Sequence, residues 1–151
     1  VAAAEAALAS TRAAGTAGAA TLPDALVQYG AAMIAVGRPQ DALDPIGEAC
    51  RLAEDYGREL TVAEALVVLA AALQGTGRPG LALRVWGATD AYHEAHGTLG
   101  MGYGNWPAVA VARAAARSEL GDTAALDQLR LGAVLGWRAT LARLVLGPTT
   151  V

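Results

Sequence analysis

The residue types best suited to chemistry gather in one stretch, Tyr92-His93-Glu94-Ala95-His96, followed by a glycine-rich loop. Two histidines flanking a glutamate raise the question of zinc. A zinc protease helix uses His-Glu-x-x-His, which sets both imidazoles on one face at i and i+4 and takes a further ligand from elsewhere. Here the spacing is i, i+3, and the chain holds only 2 histidines. The stretch therefore reads as a polar helix end, where protonated histidines interact favourably with the helix dipole. No metal or other cofactor is expected.

The loop 97–104 has neither of the glycine patterns that cradle phosphate, and no strand precedes it. It reads as a flexible connection between repeats. It also carries Met101 and Tyr103, with Trp106 just beyond. Large side chains on loops are a favoured means of contact with partners. The candidate binding residues are thus Tyr92, His93, His96, Met101, Tyr103 and Trp106, and no catalytic residue is assigned. Cys50 would need a nearby base to act as a nucleophile. With Ile46 and Ala53 at helical spacing around it, it reads as a small core hydrophobe.

Helices must position these groups. Phenylalanine is absent and alanine abundant, which suits helices packed at close range and disfavours strands. Start and stop signals divide the chain into about seven helices, near 2–14, 21–36, 39–56, 59–74, 80–96, 107–120 and 123–146. Thr21 and Asp122 are the expected caps of two of them. The fourth is apolar on both faces, which predicts a helix buried nearly all round. Asp41, Asp44, Glu48, Glu54 and Asp55, interspersed with Arg51 and Arg58, read as the solvated face of the third. Gly132 and Gly136 in the last helix predict either a close helix approach or a kink.

The chain also repeats itself. Ala25–Gly57 laid over Ala65–Gly97 gives 13 identities in 33 positions without a gap, among them Ala-Leu-Val, Gly-Arg-Pro and Ala-Leu. Gly-Arg-Pro ends one helix and opens the next, forming a tight antiparallel hairpin. A period between about 20 and 50 residues signals a stacked array. The expected fold is all-α, a tetratricopeptide-like α-solenoid of about three hairpins in one domain, 1–151, with repeats near 22–57, 60–97 and 107–146.

Segment 81–97 sharpens that expectation. Ala82, Leu83, Gly87, Ala88, Glu94 and Gly97 resemble the end of the tetratricopeptide-like region in actinobacterial signal-transduction ATPases, the LuxR-type or cyclase-linked transcriptional regulators. The likeness spans roughly residues 25–146. Where that family commonly carries a proline-rich link, this chain has the loop from Gly97 to Trp106. The resemblance implies a helical module within a multidomain regulator. It carries over no ATPase or DNA-binding activity.

Composition excludes some partners and suggests others. A net charge of −3 with scattered arginines predicts no direct nucleic-acid contact. The longest apolar stretch, from Val62 to Leu73, contains Glu64 and falls short of the ~20 residues that span a bilayer. A single cysteine forbids an internal disulfide and favours a cytoplasmic setting. The start at Val1 suggests a segment of a longer protein. The function expected is non-enzymatic: recognition of a protein or peptide, of neighbouring domains, or of a small effector, with self-association through exposed end helices as a further possibility. The contrasting expectation is an effector-binding or enzymatic helical domain with a pocket around Tyr92, His93, His96 and Tyr103. That reading requires both histidines to enter one enclosed cavity.

Overall fold

A computed structural model describes residues 1–145, and within them the chain is all-helical. Eight α-helices follow in order: α1 (Ala2–Ala13), α2 (Leu22–Ala35), α3 (Gln40–Asp55), α4 (Glu59–Gly75), α5 (Pro79–Ala95), α6 (Pro107–Leu120), α7 (Asp122–Leu135) and α8 (Trp137–Leu144). Short 3-10 turns at Gly15–Ala17 and Gly102–Asn105 lie in the two longer connections. The expected end of the last helix at residue 146 lies outside the described residues.

Glycine sets the helix ends. Gly37, Gly57, Gly77 and Gly97 follow α2, α3, α4 and α5, and each has a φ between 66° and 81°. At each end the residue after the glycine donates its amide back across the last turn, at 2.8–2.9 Å. Arg38 bonds Met33, Arg58 bonds Ala53, Arg78 bonds Leu73 and Thr98 bonds His93. This pattern satisfies carbonyls that a helix end would otherwise orphan, and its left-handed residue is best supplied by glycine. The forty-residue sequence repeat therefore contains a finer twenty-residue beat, one helix per beat.

Two expected caps take other roles. Thr21 does stand at the N-cap of α2, but its hydroxyl donates to the Gly18 carbonyl and makes no cap bond. Gly121 stands in the N-cap position of α7, while the Asp122 carboxylate pairs with Arg117.

Helix α4 is the centre. Every residue from Ala65 to Gln74 is buried, because α2, α3, α5 and α6 all pack on it. Each of its buried leucine and valine side chains contributes roughly 1.5–3 kcal/mol when fully removed from water. Helices α2 and α3 pair, as do α4 and α5, and α2, α4 and α6 lie side by side.

The last hairpin departs from the pattern: α7 lies mainly on α5 and only slightly on α6. Glycine permits that. A methyl group on Gly87 would be driven into the Leu129 carbonyl of α7, and one on Gly132 into the Arg84 carbonyl of α5. The two backbones touch where these side chains are missing.

The final helix is broken, which corrects the expected count of seven. Gly136 has φ 78° and ends α7, and Trp137 begins α8. The left-handed residue redirects the chain so that Trp137, Thr140 and Leu141 become buried. Gly132 thus provides the close approach, and Gly136 provides the break.

Gly47 and Gly87 occupy equivalent repeat positions but meet different surroundings. The atom nearest an added Cβ at Gly47 is Arg51 Nη1, 3.7 Å away. We expect Gly87→Ala to cost roughly 1–3 kcal/mol by overpacking. Gly47→Ala should instead gain up to about 1 kcal/mol from helix propensity. Urea unfolding of both variants measures the contrast, and equal losses would contradict the close contact of α5 and α7.

Candidate functional site

The last turn of α5 and the loop that follows bring most of the candidate residues together. His93 is buried, and its Nδ1 lies 2.8 Å from the Thr98 hydroxyl. Its Nε2 faces Glu64 Oε1 at 3.6 Å, within ion-pair range but beyond a hydrogen bond, and has no other partner. Both imidazole nitrogens are therefore turned toward protein groups. His96 is exposed and donates from Nδ1 to the Tyr92 carbonyl at 2.7 Å.

Tyr92 separates the two histidines. Its ring meets His93 edge-on at 5.4 Å and stacks on His96 at 4.1 Å. One imidazole points inward to α4 while the other lies on the surface, so they share no cavity. Burial, then the nearby Glu59 carboxylate, holds the Tyr92 phenol above its ordinary range.

Loop 97–106 is fastened down through its backbone. The Tyr103 amide donates to Glu64 Oε2 at 2.7 Å. At Gly102 (φ 57°) a Cβ would be forced against the same carboxylate, so only glycine lets the loop come this close. The Tyr103 ring packs edge-on to Trp106 at 6.0 Å, and both are half-buried against the core. Burial, with Glu64 and Asp24 nearby, raises the Tyr103 phenol pKa. Of the three candidates Met101, Tyr103 and Trp106, only Met101 is largely exposed, at 59%.

Beneath the loop lies a cavity of about 200 Å³. His93, Trp86 and Asp90 form one wall, Arg113 another, and Leu99 and Met101 stand at its mouth. Arg113 holds Asp90 through two hydrogen bonds, at 3.0 and 2.5 Å, and its guanidinium lies 5.7 Å from the Trp86 ring centre. The Trp86 indole N–H donates to the Val67 carbonyl at 3.2 Å. The cavity is thus lined both by exposed apolar side chains and by a partly exposed charged pair.

Sequence reasoning missed Glu64, Asp90 and Arg113 as site residues. The available signal was Glu64 itself, an isolated charge in an apolar helix, because a buried carboxylate demands partners. Cys50 is fully buried, and desolvation raises its thiol from 9.0 to about 12. Among the described residues no three of His, Cys, Asp and Glu come together to hold a metal ion, and no helix is long and apolar enough to cross a membrane.

No family model matches the chain, and neither does any curated protein or solved structure.

The Glu64 bond to the loop predicts that Glu64→Ala speeds hydrogen exchange at the Tyr103 amide by roughly tenfold or more. Glu64→Gln, which keeps an acceptor oxygen, should fall between. Unchanged exchange in Glu64→Ala would show that the loop is held by other means. The buried thiol predicts a loss of stability in alkali. Its pKa is higher folded than unfolded, so above about 9 only the unfolded chain releases the proton, and stability falls until pH reaches about 12. Unfolding midpoints measured from pH 8 to 11 should decline less in Cys50→Ala than in the parent chain.

Proposed function

We propose that this chain is a non-enzymatic recognition module, a tetratricopeptide-like stack of helical hairpins that binds a protein or peptide segment at loop 97–106. The observation that carries the reading is the loop itself. The regular twenty-residue beat breaks there, and the inserted residues are tied back to the central helix by Glu64. That leaves Leu99 and Met101 exposed by 61% and 59% at the mouth of a cavity. A fastened loop presents these apolar side chains with little ordering cost on binding, and preorganisation of this kind raises affinity. Methionine in addition adapts to differently shaped partners.

The stack is supported by the duplicated helix pairs, by the side-by-side placement of α2, α4 and α6, and by the repeated glycine ends. Within a multidomain transcriptional regulator, such a module would receive a peptide or a neighbouring domain and pass on the change in orientation. His93 contributes as a strut between α4, α5 and the loop: both its nitrogens face protein groups, which supports recognition over catalysis.

A peptide selected from a display library on the intact chain tests the proposal. Leu99→Asp and Met101→Asp should each weaken its binding roughly tenfold, since each removes an apolar contact at a buried interface. Val134→Asp, on the far surface of α7, should leave binding unchanged. Peptides indifferent to both loop variants would refute the loop as the site.

Self-association is a second reading, favoured by Val111 on α6 and Val134 on α7, exposed by 70% and 89%. Size-exclusion chromatography at two concentrations decides it, because a single monomeric peak at both would rule it out.

A further inference from the structure

A second cavity, of about 310 Å³, shares no lining residue with the one beneath the loop. It lies between α3, α4 and the end of α8, with the turn that precedes α5 at its edge. Gly47 of α3 lines one side and Leu69 and Leu73 of α4 another, with Leu144 and Val145 at the end of α8. Arg51 and Arg78 also line it, and Asp44 is the only carboxylate among the lining residues.

The two arginines stand out among the described residues by their lack of carboxylate partners. Of the 11 basic residues, all arginine, six are in ion pairs with carboxylates and Arg84 is bonded to Gln128. Only Arg51, Arg78, Arg130 and Arg143 have no such partner among the described residues, and two of these four meet at one cavity.

The sequence repeat shows how Arg78 lost its partner. In the first copy Arg38 is held by Asp41 three residues on, with Nε 2.7 Å from the carboxylate. In the second copy Leu81 stands where Asp41 would be and packs against the core, so Arg78 has no local carboxylate. Gly47 completes the site. Its counterpart Gly87 is pressed against the α7 backbone, whereas a Cβ at Gly47 would meet only the side chains of Arg51 and Val145, at 3.7 and 4.0 Å.

We propose that this cavity binds a small carboxylic acid with an apolar tail. The carboxylate would lie between Arg51 and Arg78, whose planar guanidinium groups suit its geometry. The tail would lie against Leu69, Leu73 and Leu144. Two guanidinium groups and Asp44 leave one positive charge, which a monoanion neutralises. The protein as a whole, at −3, offers no general attraction to anions, so recognition is local. The volume accommodates about ten water-sized groups.

Calorimetric titration of the intact chain with hexanoate tests the assignment, with acetate and hexylamine as controls. Hexanoate should bind saturably. Acetate should bind roughly tenfold more weakly or worse, because it lacks most of the apolar tail. Hexylamine should not bind. Arg51→Gln and Arg78→Gln should each weaken hexanoate roughly tenfold without moving the unfolding midpoint, since both side chains are exposed and unpaired. Gly47→Leu, which fills the cavity from α3, should abolish binding. No saturation by hexanoate, equal binding of hexylamine, or unchanged affinity in both arginine variants would overturn the proposal. Display peptides that bind the loop retain their affinity in all three variants, which keeps this test separate from that of the loop.

Discussion

Helix α4 has almost no face open to water, and that constraint organises the rest of the molecule. Ten consecutive buried residues require neighbours on every side, and α2, α3, α5 and α6 supply them. The charge in its middle, Glu64, needs hydrogen bonds that its own helix does not offer. Loop 97–106 provides one through the Tyr103 amide, and His93 brings an imidazole to the other oxygen. The carboxylate thus helps to fix the proposed recognition loop, together with the packing of Tyr103 and Trp106 on the core.

Duplication of a helix pair does not duplicate its roles. Gly47 and Gly87 match in sequence, yet Gly87 makes a backbone contact with α7 while Gly47 lines an open cavity. Arg38 and Arg78 match as well, yet Asp41 neutralises only the first. The identities between the copies fall on helix ends and small packing positions. Identical residues in the two copies can therefore meet different surroundings, as Gly47 and Gly87 do.

Much of the architecture was legible along the chain because its signals are local. A glycine after an apolar helical run marks a left-handed end, so α2 through α5 were bounded within a few residues. An apolar pattern with no polar stripe marked α4 as central. Cys50 was readable as core from Ile46 and Ala53 at helical spacing around it. The count of seven was wrong by one because two glycines four apart look alike in sequence. Only the packing of α5 distinguishes Gly132, which admits a neighbouring backbone, from Gly136, which turns the chain.

The candidate site was read less completely. Tyr92, His93, His96, Met101, Tyr103 and Trp106 were singled out together because they are close along the chain. In space Tyr92 parts the two histidines, and Tyr103 engages Glu64 through its amide rather than its ring. Glu64 and Tyr103 are 39 residues apart, and Asp90 and Arg113 are 23 apart. By itself the sequence determined the helices, their ends and the residues that must be buried, since propensity, capping and periodicity act within a few residues. The tertiary structure alone decided which charges found partners, which cavities stayed open and which way each imidazole faced. Those outcomes depend on groups distant in sequence competing for the same space, and no local pattern encodes that competition.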